Sequence, residues 1–218
     1  MIKNNKWKLI ISSIVILLPT FVGFFGGRIL PEEIIVHWGF DGKPDGWGSP
    51  ANVFFVMPLI LLAVHWLCMI LSSVIDKNAE RNKKIMGITF WIIPVISLMS
   101  CGVIFATALG YTSNIYAIVL LTIALAFIII GNYLPKTTRN RTMGIKIKWA
   151  LANDENWRAT HRFGGKVWFF GGILTMLTAF WGSFWLLMAI LGAMVILPTI
   201  YSYLYYKKHK KDEAHENG

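Results

Sequence analysis

The chain has 218 residues, of which 56% are hydrophobic and only 15% charged, with a mean hydropathy of +0.57. Soluble domains carry about a quarter charged residues, so this composition excludes a water-soluble globule and places the chain in a membrane. A formal charge of +10 would suggest nucleic acid for a soluble protein; in a membrane protein it is weighed first against the excess of Lys and Arg in cytoplasmic loops.

A bilayer core about 30 Å thick is crossed by ~20 apolar residues in a helix. In chain order the apolar runs predict six spans, at 7–27, 51–75, 85–108, 113–134, 167–182 and 184–206. The opening KNNKWK imitates a signal peptide, but no A-x-A-like site follows, so the first run is expected to remain a span. Gly23-x-x-x-Gly27 in span 1 permits a close helix contact and leaves room for a homo-oligomer. Pro19, Pro58, Pro94 and Pro198 are candidate kinks, Pro58 and Pro94 alternatively lying near span ends. Cys68 and Cys101 both fall in apolar runs and read as small buried hydrophobes. Within the spans no Asp, Glu, Lys or Arg lies away from the ends, which disfavours an ion path or proton relay. His65 in span 2 is the titratable exception. It reads as a hydrogen-bonding packing residue, with a relay as the alternative.

The charges orient these spans. With the amino terminus inside, nineteen of the 21 basic residues fall in inside segments, and only Arg28 and Lys43 fall outside, against Glu32, Glu33, Asp41 and Asp45. Such an asymmetry predicts both termini in the cytoplasm. It also removes the need for direct nucleic-acid binding to explain the charge. The expected fold class is therefore all-α: a polytopic membrane protein with about six transmembrane helices and both termini cytoplasmic. Residues 1–110 form an amino-terminal half with outer loop 28–50. Residues 111–206 form a carboxy-terminal half with cytoplasmic loop 132–166, and 207–218 form a basic, then polar tail.

The outer loop holds HWGFDGKPDGWGSP. Asp41-Gly42 and Pro44-Asp45-Gly46 match turn chemistry, in which Pro sets φ and Gly accepts positive φ. Ile34, Ile35 and Val36 form an apolar face, and Trp38 and Trp47 suit the headgroup level. The spacing D-x-K-x-D-G superficially resembles a calcium loop, but Lys43 occupies a ligand position and Asn52 the twelfth. His37 has no second His or Cys nearby for zinc. No metal or cofactor is expected. An outward recognition loop or a compact connector remains.

The inner segment 132–166 reads NYLPKTTRNRTMGIKIKWALANDENWRATHRFGGK. Asn153 is placed to cap a helix whose first turn carries Asp154 and Glu155. Asp154 and Arg158 stand at i, i+4 and are expected to pair, and Trp157 and His161 share a face one turn apart. Gly164-Gly165 can end that helix or bend it into span 5. The segment is either packed on the cytoplasmic helix ends or offered to a partner. No H-E-x-x-H, G-x-S-x-G or P-loop occurs, so an enzyme is not expected.

LPEEIIVHWGFDGKPDGWGSP resembles the signature of a membrane domain of unassigned function that often forms the amino-terminal half of the SdpI family. GNYLPK, RNRTMGIK and WALANDENWRATHRFGGK resemble the cytoplasmic signature of that same family, and the motifs stand in the right order across most of the chain. The resemblance implies a multi-pass immunity protein of the bacterial cell membrane. Such a protein guards its host against a secreted peptide, the sporulation-delaying toxin. It also implies a receptor that holds a cytoplasmic transcriptional repressor at the membrane. Partners would then be membrane lipid, a peptide toxin and that repressor. The candidate recognition residues outside are Pro31, His37, Trp38, Gly42, Asp45, Gly46 and Trp47. The candidate signalling residues inside are Asn132, Arg139, Asn140, Gly144, Trp157, His161, Arg162 and Gly165. The competing expectation is a small transporter or channel, with a water path lined by His65, Asn132 and span Ser/Thr residues.

Overall fold

A computed structural model describes residues 5–39, 43–75, 83–111, 114–140, 143–181 and 184–216. Among them are six helices long and apolar enough to cross a membrane: α1 (Lys6–Gly26), α2 (Met57–Ile75), α3 (Lys83–Ala108), α4 (Ile115–Tyr133), α5 (Asp154–Trp181) and α6 (Phe184–Glu216). The molecule is a polytopic all-α membrane protein, with one short two-stranded hairpin added, β1 (Ile34–Trp38) and β2 (Pro44–Gly48). Most apolar side chains on the helices are exposed, as expected where lipid rather than water is the solvent. The chain divides into two compact units, Met1–Ile115 and Tyr116–Gly218.

In the first unit α1 packs on α2 and α3. Ser12 Oγ donates to Leu9 O (3.0 Å) and lies 2.8 Å from His65 Nε2, so its single proton is committed and the ring N–H donates to it. Trp66 Nε1 donates to Ser13 Oγ (3.1 Å), and Ser97 Oγ donates to Ile16 O (2.9 Å). His65 is fully buried and joins α2 to α1, the packing role its sequence position suggests. Gly23 lies against Phe54, where a Cβ would collide with that side chain. Half of the G-x-x-x-G spacing thus serves a contact within this chain, and Gly27 is the C-cap of α1. A single π-turn, Asn52–Val56, precedes α2. Pro58 follows it and has no N–H to return to Phe54, the kind of gap that alters local winding.

In the second unit α4 and α5 approach backbone to backbone. A Cβ on Gly165 would lie 2.7 Å from Gly131 O and from Pro135, and one on Gly172 would lie 2.8 Å from Ala124 O. Small residues permit this approach where no hydrophobic force separates helix from lipid. Here the sequence expectation is corrected. Of the two expectations for Gly164-Gly165, that they end the helix or carry it into span 5, the first is overturned. One 28-residue helix continues through them, because both glycines are buried in close contacts, Gly164 against Ile145 and Pro198.

Candidate functional site

β1 and β2 form an antiparallel hairpin with Ile34 opposite Gly48, Ile35 opposite Trp47, His37 opposite Gly46 and Trp38 opposite Pro44, with irregularities on either side of His37. Alternation along β1 sends Ile34, Val36 and Trp38 to one face. That face seats on a cluster of Val53, Phe54, Cys101 and Ile104, with Ile34 only 3% exposed. The opposite face carries His37 and, on the partner strand, Asp45 and Trp47. His37 Nδ1 and Asp45 Oδ1 are 2.5 Å apart and largely open, at 72% and 51% exposure. Surface pairs of this kind add little to stability, so the pair is not what holds the hairpin. Gly46 is required opposite His37, whose Cβ would stand 2.9 Å from a Cβ at that position.

The two tryptophans thus part ways. Trp47 is exposed, whereas Trp38 packs against the cluster beneath the hairpin. Pro31 is exposed ahead of β1. Asp41 and Gly42 lie outside the described residues.

The segment between α4 and α5 is a loop folded onto the first turns of α5. Trp157 is completely buried and its Nε1 donates to Thr137 O (2.9 Å). Its ring stacks on His161 with centroids 3.9 Å apart and planes 22° apart. His161 Nδ1–H donates to Trp157 O (2.8 Å), so Nε2 is left to accept from the backbone N–H of Ile145 (2.9 Å). Both partners are backbone groups, and together they fix the tautomer. Gly144 sits over this stack at φ +108, a left-handed conformation that side chains avoid, and a Cβ would run into His161 and stand 3.2 Å from Trp157. Gly is therefore demanded twice at one position.

Arg139 clips the loop shut. Its Nη1 donates to Leu151 O (3.0 Å) and Ala152 O (3.3 Å), and its Nε pairs with Asp154 Oδ1 (2.5 Å). Asp154 is thus engaged by Arg139, from fifteen residues upstream, rather than by the expected Arg158. Asn140 closes an Asx turn, accepting from Met143 N–H (2.7 Å) and donating to Thr138 O (2.8 Å). Asn153 Oδ1 accepts from Asn156 N–H (2.7 Å), the cap its position suggests.

The structure therefore brings Arg139, Asn140, Gly144, Trp157 and His161 into one assembly, with Gly165 beneath it against Pro135. Asn132 and Arg162 are exposed and stand apart from it. Sequence reasoning missed a buried polar knot that ties α5 to α6. Asn156 Nδ2 donates to Ser202 O (3.1 Å), and Asn156 Oδ1 accepts from Thr160 Oγ1 (2.9 Å) and Ser202 Oγ (3.3 Å). The available signal was Asn156 and Thr160 at i, i+4 and a lone Ser in the apolar run of α6.

These features define a class: a multi-pass membrane protein with an exposed polar hairpin and a tightly folded inter-helix loop. Residues 136–202 match the SdpI/YfhL protein family, and residues 14–62 match a domain of unknown function, DUF1648. The chain is 28% identical over 211 residues to the immunity protein SdpI of Bacillus subtilis (strain 168), covering 92% of this chain and 97% of that protein. No solved structure matches it. The chain is thus similar to the SdpI family in its carboxy-terminal half and to that immunity protein along nearly its whole length.

Proposed function

We propose that this protein is an immunity protein of the bacterial cell membrane that protects its host from a secreted antimicrobial peptide. The observation that carries this reading is the similarity to the immunity protein SdpI, which runs through both halves of the chain rather than one shared domain. The nineteen-to-two distribution of basic residues supports a topology with the hairpin outside and the 137–153 loop in the cytoplasm. The outer face of the hairpin, with His37, Asp45 and Trp47, would then meet the toxin. A hydrogen-bonded His–Asp pair beside an exposed indole suits an amphipathic cationic or aromatic peptide at the headgroup level. The protein acts by binding and not as an enzyme.

A receptor role is a second, finer element of the proposal. Toxin contact would shift the protein between two arrangements and so change the affinity of a cytoplasmic face for a repressor, which requires that the toxin bind the two arrangements unequally. The test is a toxin challenge of a sensitive strain lacking its own immunity protein, with and without this chain expressed. Expression is expected to restore survival. Equal killing of the two strains by the sporulation-delaying peptide would contradict the reading.

A further inference from the structure

α5 and α6 pack against each other, and one face of this pair holds a groove of about 410 Å³ that the immunity reading leaves unused. Arg158, Arg162 and Lys166 line it from α5. Their i, i+4, i+8 spacing stacks them along one helix face, over about 12 Å at 1.5 Å rise per residue. All three are exposed, and none has an ion-pair partner among the described residues.

Aromatic rings form the rest of the groove. Phe163 stacks on Tyr201 with centroids 4.4 Å apart, and Tyr205 stacks on His209 at 4.1 Å. One carboxylate enters the groove, Glu155, and it is engaged at its end: Tyr205 O–H donates to Oε1 (2.7 Å), with His209 Nε2 3.7 Å away. Three cations against one occupied carboxylate leave the groove electropositive.

Its height in the membrane follows from the same two helices. Lys166 is the last charge on α5 before the uncharged run 167–181, and on α6 the uncharged run ends at Lys207. The groove therefore straddles the level where hydrocarbon gives way to headgroups. The helical stripe that carries the cations continues one and two turns further as Phe170 and Leu174, which are 61% and 50% exposed. Cations above an apolar strip match a phosphate above an acyl chain, which a soluble anion would not need.

We infer that this groove binds an anionic phospholipid, its phosphate held by Arg158, Arg162 and Lys166 and its chain lying along Phe170 and Leu174. The test uses the full-length protein in nanodiscs of phosphatidylcholine with a minority of phosphatidylglycerol, reading retained lipid by native mass spectrometry. Wild type is expected to retain phosphatidylglycerol in preference to phosphatidylcholine. R158Q/R162Q/K166Q is expected to lose that preference, by about fivefold for each cation removed. K207Q/K208Q/K210Q removes as many positive charges from outside the groove and should keep most of it.

Because the three groove cations are exposed, the triple variant should unfold at the wild-type temperature in pure phosphatidylcholine. Should it not assemble, R162Q alone reads the same quantity, with about a fivefold loss expected. Equal retention by wild type and the groove variant, or an equal loss in the tail variant, overturns the inference. So does inorganic phosphate that stabilises the wild type as much as phosphatidylglycerol does, since the site would then take a soluble anion.

Discussion

The hairpin of residues 34–48 and the loop of residues 137–153 are both short, built from Trp, Gly and Asn or Asp, and set beside apolar helices. They use those residues in opposite ways. The hairpin lays its apolar side chains, Ile34, Val36 and Trp38, onto the helices and leaves His37, Asp45 and Trp47 outside. The loop covers buried side chains: Trp157 and His161 of α5 lie beneath it, and their ring nitrogens are committed to backbone groups at Thr137 and Ile145 of the loop and at Trp157. A displayed side chain can change without disturbing the fold, whereas a buried one bonded to the backbone cannot. The hairpin thus displays its polar side chains, whereas the loop holds those beneath it in place.

This contrast predicts an order of effects. Trp157→Ala should be the most damaging, costing about 3–5 kcal/mol for a buried aromatic, before the lost bond to Thr137. Folded protein recovered from membranes should fall sharply, and wild-type yield and melting temperature would break the contrast. Gly144→Ala comes next, at about 1–3 kcal/mol for backbone strain plus the collision with His161, visible as a lowered melting temperature in detergent. Ser12→Ala removes the hydroxyl that receives the His65 N–H and should cost about 1–3 kcal/mol, since a buried donor is left unmade. At the small end, Trp47→Ala should shift stability by no more than about 0.5 kcal/mol, while Trp38→Ala should lower it clearly. Equal effects of the two tryptophans would mean that the hairpin has no distinct inner and outer face.

Much of this arrangement was legible in the amino-acid order. Six apolar runs give six helices because lipid demands internally bonded segments of sufficient length. The Asn153 cap and the Trp157–His161 face follow from helical spacing alone. What was not legible depends on partners distant in sequence. PDGWG has the composition of a turn, with Pro and two Gly poor in strand propensity, and becomes β2 only because IIVHW lies alongside and is anchored below by Val53 and Phe54. Gly164-Gly165 looks like a helix end, but contacts with Ile145, Pro135 and Gly131 make two missing side chains an asset to packing. Asp154 has a cation one turn away in Arg158, yet Arg139 takes it because the loop also presents the carbonyls of Leu151 and Ala152 to the same guanidinium. Local rules locate candidates, but they do not decide between a neighbour on the helix and a residue brought in by a loop.

The central claim is that the outer face of the hairpin meets the toxin. It is tested most directly by measuring survival of toxin-challenged cells that express H37A/D45A/W47A at the wild-type membrane level. The account predicts that these cells die as readily as cells with no immunity protein, although the protein is folded and present. Full protection by that variant at equal abundance would contradict it.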